Sequence, residues 1–328
     1  MTTSFSTVSL VAALNAFQGK LGSLEWVACN AEQERLIDQY MPPDFSVFSK
    51  AELEALASYS ADELNAALAT RGSSLRFDPF NEDEMGAYGS LIVNVNWLEK
   101  GQKCTVSTKP GFSFAQLSDE TATVRWAELT GQPVACARTR EEDMVYMTPY
   151  SRALSGLELV TTAKAIQESL CSIHKENKAA LNDQVKRSFA LMNEGCNFNE
   201  AYTLGGVVFP MVDLEQELNL DWLKELRCLP QSSNPYKVVE AVQANKLKMN
   251  HIGAAVRSDT SVKMVLECYT PPTTPLVIDE PFLTWFVRPG LEEPFFVAMA
   301  EQDCWKEPKD LKVKFSSYSH RSEKWGFA

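Results

Sequence analysis

Apolar residues recur at helical spacing in the early part of the chain and at strand spacing later. Leu10, Ala13, Leu14 and Phe17 fall at i, i+3, i+4 and i+7, which predicts a helix over 9–18. Gly19 and Gly22 end it. Stretches 23–37 and 50–69 also suggest helices, the second capped by Ser49, with Met41-Pro42-Pro43-Asp44 as the turn between them. The short aliphatic run 91–98 (LIVNVNWL) predicts a buried strand. Strands and turns dominate 101–150, with 124–128, 133–138 and 144–147 the clearest candidates. Residues 159–186 mix charges with apolar positions at helical spacing, 203–212 predict a buried strand and 218–229 a helix. Residues 238–245 suggest a helix and 247–250 an extended segment. Near the end, apolar segments 282–287 and 295–300 flank Arg288-Pro289-Gly290, a hairpin pattern. No internal repeat or low-complexity linker divides the chain.

Composition narrows the possibilities. The chain has 328 residues, 45% hydrophobic and 23% charged, enough to bury a large core without metal or disulfide staples. A net charge of -12 leaves no broad cationic face to displace counterions from phosphates, so nucleic acid is not an expected partner. No window carries the ~20 apolar residues of a membrane-spanning helix. The N-terminus lacks a cationic start before its apolar run, which argues against a secretory signal. Eight cysteines lie scattered with no Cys-x-x-Cys pair, as free thiols in a reducing compartment would, although their even number also allows disulfides. No Asn-x-Ser/Thr acceptor occurs. The expected location is the cytoplasm.

The parts of a conventional active site are missing. Only three histidines are present: His174, His251 and His320. Cys171 and His174 stand at i, i+3, a conceivable nucleophile pair without a third group; a core thiol beside a surface imidazole is the plainer alternative. No zinc spacing, phosphate loop or dinucleotide turn appears. The run Glu141-Glu142-Asp143 has the character of solvated surface. The expectation is a non-enzyme without cofactor or metal.

One resemblance runs through the chain. The segment Lys246-Leu247-Lys248-Met249-Asn250-His251-Ile252-Gly253-Ala254-Ala255-Val256-Arg257-Ser258-Asp259-Thr260 resembles, without gaps, the strand and hinge of the serpins. Pro281-Phe282-Leu283-Thr284-Trp285-Phe286-Val287-Arg288 is similar to that family's Pro-Phe-Leu-Phe-Phe-Ile-Arg strand, and Phe295-Phe296-Val297-Ala298-Met299 to the strand paired with it. Weaker likenesses keep the family order. They are Phe5–Leu10 for the opening of the shutter helix, Gly19–Gly22, Leu64-Asn65 with Thr70–Gly72, Val93-Asn94 before Lys100-Gly101, Pro149-Tyr150, and Val207–Pro210 followed by Leu220, Leu223 and Leu226. The sequence departs from the family in several places. The first family helix has no counterpart, Cys104 stands where serpins carry a Trp behind the breach, Gln243 stands at the shutter His position, and His251 and Ile252 replace a Glu-Glu pair.

The resemblance implies an α+β fold with a large central, mostly antiparallel sheet, further sheets, about eight helices and an exposed reactive-centre loop. It implies a serpin-like domain over 1–303 and a C-terminal extension over 304–328, whose bases Lys309, Lys312, Lys314, Arg321 and Lys324 interleave with aromatics. Serpins act as suicide substrates: a protease cleaves the exposed loop, and the freed loop enters the sheet as a new strand and distorts the bound protease. The implied function is therefore inhibition of a serine or cysteine protease by insertion of loop 253–275. The alternative is a non-inhibitory serpin-fold binding or structural subunit of a larger assembly. The partner is a target protease or another protein, with no nucleic acid or membrane.

Insertion places every second hinge residue in a packed interior. In the family register the inward set after Gly253 is Ala254, Val256, Ser258 and Thr260, all small or β-branched and uncharged. Arg257 and Asp259 fall on the other face, where water can solvate them. The scissile bond falls within Leu266, Glu267, Cys268, Tyr269 and Thr270; Glu267 would suit a protease with a basic specificity pocket and Tyr269 a chymotrypsin-like one. Ser6, Ser9, Asn94 and Gln243 occupy shutter-like positions.

Overall fold

The computed structural model describes residues 2–154, 156–171, 178–192, 203–231, 234–253 and 273–309. Along the chain come β1 (Thr3–Phe5), α1 (Thr7–Ala16), α2 (Gln18–Leu21), β2 (Leu24–Val27), α3 (Ala31–Tyr40), β3 (Leu53–Ser58), α4 (Ala61–Thr70), β4 (Gly86–Leu91), β5 (Gln102–Cys104) and β6 (Phe114–Leu117). They are followed by β7 (Ala122–Ala127), β8 (Gln132–Arg138), β9 (Met144–Pro149), α5 (Gly156–Glu168), β10 (Leu170–Cys171), α6 (Lys178–Met192), β11 (Thr203–Pro210) and β12 (Val212–Asn219). The last are β13 (Arg227–Pro230), β14 (Tyr236–Lys237), β15 (Val242–Met249), β16 (Thr273–Val277), β17 (Phe282–Val287) and β18 (Phe296–Ala300). The fold is α+β, with six α-helices and two short 3-10 turns among the described residues, fewer than the about eight helices expected.

An eleven-stranded sheet runs β1-β18-β17-β9-β8-β7-β11-β6-β5, with β10 on β7 and β16 on β11. Every pair in it is antiparallel except β11–β16. Alternation along its strands feeds two cores. In β8, Val134 and Cys136 face one core and Ala135 and Ala137 the other; in β18, Val297 and Met299 oppose Ala298 and Ala300. Strands covered on both faces read as continuous apolar runs, which is why β8, β17 and β18 are conspicuous in the sequence. One core receives Leu10, Val11 and Leu14 of α1 and Leu157, Leu159, Val160, Ala163 and Ile166 of α5. The other receives Val212 and Leu214 of β12 and Leu247 and Met249 of β15. Smaller sheets are β12–β15, β14-β13-β2 and β3–β4.

The hairpin 282–300, the strands at 124–147, the opening helix and the strand at 203–210 form where the pattern places them. Five expected elements differ. Residues 50–69 divide into β3 and α4: Leu, Ala and Glu favour a helix, but 53–58 ladder onto β4 while Arg71 donates to the carbonyls of Ala51, Glu52 and Ser90. Residues 23–37 divide in the same way, 24–27 pairing with β13. Leu220, Leu223 and Leu226 are all buried, but their spacing of three is that of a 3-10 turn, and Glu225 at φ 67° breaks any longer helix. The second half of the expected helix at 238–245 belongs to strand β15, whose buried positions Gln243, Asn245, Leu247 and Met249 alternate, and 238–241 form no helix. The expected strand over 91–98 ends at Leu91; beyond it only Val95 and Trp97 are buried, while Ile92 and Leu98 are exposed.

Asp143 is not solvated surface. It is fully buried and accepts from Arg288 Nε at 2.8 Å and from its Nη2 at 2.9 Å. The same guanidinium reaches Glu52 at 2.9 Å and lies 4.8 Å from the centre of the Phe48 ring. Hydrogen bonding to Asp143 pushes the Arg288 pKa further up, so the charge is permanent. This clamp joins the turn before β9, the start of β3 and the end of β17.

Candidate functional site: a strand lane and its closed end

Among the described residues β4 pairs only with β3, and β15 only with β12. Each therefore has one edge without a ladder. The first turn of α1 touches both strands. Gly89 of β4 lies against it so closely that an added Cβ would sit 2.0 Å from the Ser9 carbonyl oxygen and 2.8 Å from the Ala13 nitrogen. Only glycine permits that approach. On the other side Gln243 of β15 donates to the Ser9 hydroxyl at 3.1 Å and to the Ser6 carbonyl at 2.8 Å. Ser9 is thus a floor shared by the two strands with unladdered edges.

The polar residues beneath β15 form a closed network. Gln243 accepts from the buried Ser6 amide at 3.1 Å. Asn245 donates to the Ser4 carbonyl at 2.8 Å and to Gln243 at 3.0 Å. Gln216 of β12 accepts from the Ser4 amide at 2.8 Å and donates to the Thr2 carbonyl at 2.9 Å. The Ser6 hydroxyl donates to the Phe295 carbonyl at 2.9 Å and caps α1 by accepting from the Ser9 amide. Buried amide side chains of this kind are tolerated because their partners are backbone groups in fixed positions.

The segments that continue the two strands meet where Asn96 bridges Gly253. The Trp97 indole, packed edge-on against Phe209, donates to the Asn250 carbonyl at 2.8 Å. The Gly101 amide donates to the His251 carbonyl at 2.7 Å, and the Asn250 side chain accepts from the Ile252 amide at 2.8 Å. Gly253 has φ 95°, and a Cβ there would lie 2.6 Å from the Trp97 nitrogen and 2.9 Å from the Val95 carbonyl oxygen. Residues 96–101 and 250–253 thus fasten the near end of the segment that follows.

Of the sequence-predicted residues, Ser6, Ser9 and Gln243 meet in the network, and Gly253 lies at the closed end. Asn94 is exposed and makes none of these hydrogen bonds. Ala254, Val256, Ser258 and Thr260 of the hinge and Leu266, Glu267, Cys268, Tyr269 and Thr270 of the scissile region lie outside the described residues, as does His174. Cys104 is half-buried beside Phe112 and Phe114, and burial pushes its thiol up to about 11. The six described cysteines are all free. Sequence reasoning missed Trp97, Asn245 and Gln216. Trp97 was visible as the one large aromatic in LIVNVNWL, whereas the amides read as ordinary surface. The start of the extension is seated: Trp305 is buried and packs edge-on against Phe112, and Glu307 pairs with Lys103 at 2.6 Å. No helix of the described residues is long and apolar enough to cross a membrane.

No family model matches the chain, and no curated protein matches it in sequence. Solved structures do. A highly specific serpin of the insect Tenebrio molitor, Serpin48, is similar over 91% of this chain and 74% of its own, at 12% identity and a TM-score of 0.41. Human thyroxine-binding globulin, in complex with thyroxine, is similar over 91% of this chain and 91% of its own, at 11% identity and a TM-score of 0.47.

Proposed function

We propose that this chain is a divergent serpin-fold inhibitor that traps a serine or cysteine protease by taking the cleaved loop as a strand between β4 and β15; of the expected loop 253–275 the part available is 254–272, because 273–275 belong to β16. The observation that carries this is the lane itself: two strands over one helix turn, each with an edge that no other described residue ladders onto, closed at the end where that segment begins. A strand entering there would find backbone donors and acceptors on both sides, which is the main gain such an insertion has to offer. The inward set Ala254, Val256, Ser258 and Thr260 would bury without charge.

The test is a panel of proteases mixed with the protein and resolved in SDS. A protease that cleaves within 266–270 is expected to remain joined to the chain as a band that survives denaturation. Clean cleavage by every such protease, with no joined product, would leave the chain as a binding or structural subunit instead.

A further inference from the structure

His251 sits at the closed end of the lane with its Nδ1 shut off from water and without a hydrogen-bond partner. Its backbone is tied on both sides: its carbonyl accepts from Gly101, and it bridges Gly253. The charged groups around it are Lys100 and Lys103 from the segment leading into and along β5 and Glu307 from the C-terminal segment. Glu307 is already paired with Lys103. A neutral imidazole is tolerated here. An imidazolium would place a proton on a buried nitrogen with no acceptor, beside two ammonium groups.

We propose that His251 is a pH-sensitive latch: its protonation loosens the fastening of 250–253 to 96–101. The latch depends only on the geometry of this fastening and holds whether or not segment 254–272 traps proteases. The direction is the physical one for a base disfavoured in its charged form. Burial first, then the Lys100 and Lys103 charges, hold the His251 pKa below its ordinary 6.5, while Glu307 opposes them. The latch is therefore fully closed above about pH 6.5, the free imidazole value, and loosens as pH falls below it.

Amide hydrogen exchange of the intact, uncleaved chain tests this, comparing about pH 7.5 with pH 5.5 after correction for intrinsic rates. Protection of the Gly101 amide and of peptides spanning 250–253 is expected to fall on acidification, by at most about tenfold, since one pH unit below the free imidazole value bounds the linkage. His251→Gln should flatten that dependence. Lys100→Gln with Lys103→Gln, both on exposed side chains, should shrink it by letting His251 accept its proton more readily in the closed state. Equal protection of the wild type at the two pH values would overturn the latch, and so would a pH dependence unchanged in both the His251 and the lysine variants.

Discussion

Gly253→Ala probes the fastened end directly. The added methyl must adopt a left-handed backbone, which costs about 1–2 kcal/mol, and it overlaps the backbone of Val95, Asn96 and Trp97, which cannot yield as a flexible side chain would. Overpacking of that kind adds about 1–3 kcal/mol. If the end stays shut, the cost is about 2–5 kcal/mol. If it opens, the losses are the bonds from Gly101 to His251 and from Trp97 to Asn250, at about 0.5–1.5 kcal/mol each. Opening is the cheaper course, so the variant should lose about 1–3 kcal/mol by unfastening locally. Exchange of the Gly101 amide should quicken by about five- to 150-fold, the equivalent of that free energy. Gly290→Ala is the control. Its φ of 92° brings the same conformational penalty, but the nearest atom is a Val47 methyl at 3.0 Å, and nothing of 95–101 or 250–253 lies within 4 Å of the added carbon. Wild-type protection of Gly101 in Gly253→Ala, or equal quickening in Gly290→Ala, would refute the reasoning.

Other consequences can be measured alongside. Gln243→Leu leaves the buried Ser6 amide without its acceptor and should cost about 1–3 kcal/mol in urea unfolding, whereas Asn94→Leu should be near neutral. Asp143→Ala leaves the buried guanidinium with Glu52 as its remaining carboxylate and should cost about 1–3 kcal/mol, a loss that Asp143→Leu with Arg288→Leu should recover in large part. At about pH 8, native Cys104 and Cys304, both pushed up to about 11 by burial, hold roughly a thousandth of their thiols as thiolate and should label far more slowly than exposed Cys29. Ala254→Arg, which would place a charge on the inward face, should leave uncleaved stability unchanged and abolish any gain on cleavage.

The parts of the fold that the chain spells out plainly are those whose burial is apolar. Strands β8, β17 and β18 are continuous aliphatic and aromatic runs because both of their faces are covered. The lane is harder to read for a physical reason. Strand β15 alternates buried and open positions like any half-covered strand, but Gln243 and Asn245 occupy two of the buried ones, so hydrophobicity alone suggests a helix. Their burial makes sense only once Ser4 and Ser6, more than two hundred residues earlier, supply backbone partners. Asp143 misled in the same way: its partner Arg288 lies 145 residues further along the chain. Gly253 was legible as a hinge from its resemblance to the serpin motif, but its contact with Trp97 was not, since that contact depends on where β4 stops.

The central claim is that the lane accepts a strand. The most direct measurement is thermal unfolding of the chain before and after a single cut within 266–270 by a protease that is then removed. Insertion would add ladder bonds on both sides of the new strand; about eight, at ~1 kcal/mol net each, would raise stability by several kcal/mol. For a chain of this size the midpoint should rise by more than about 10 °C. A midpoint that stays where it was, or falls, would contradict insertion.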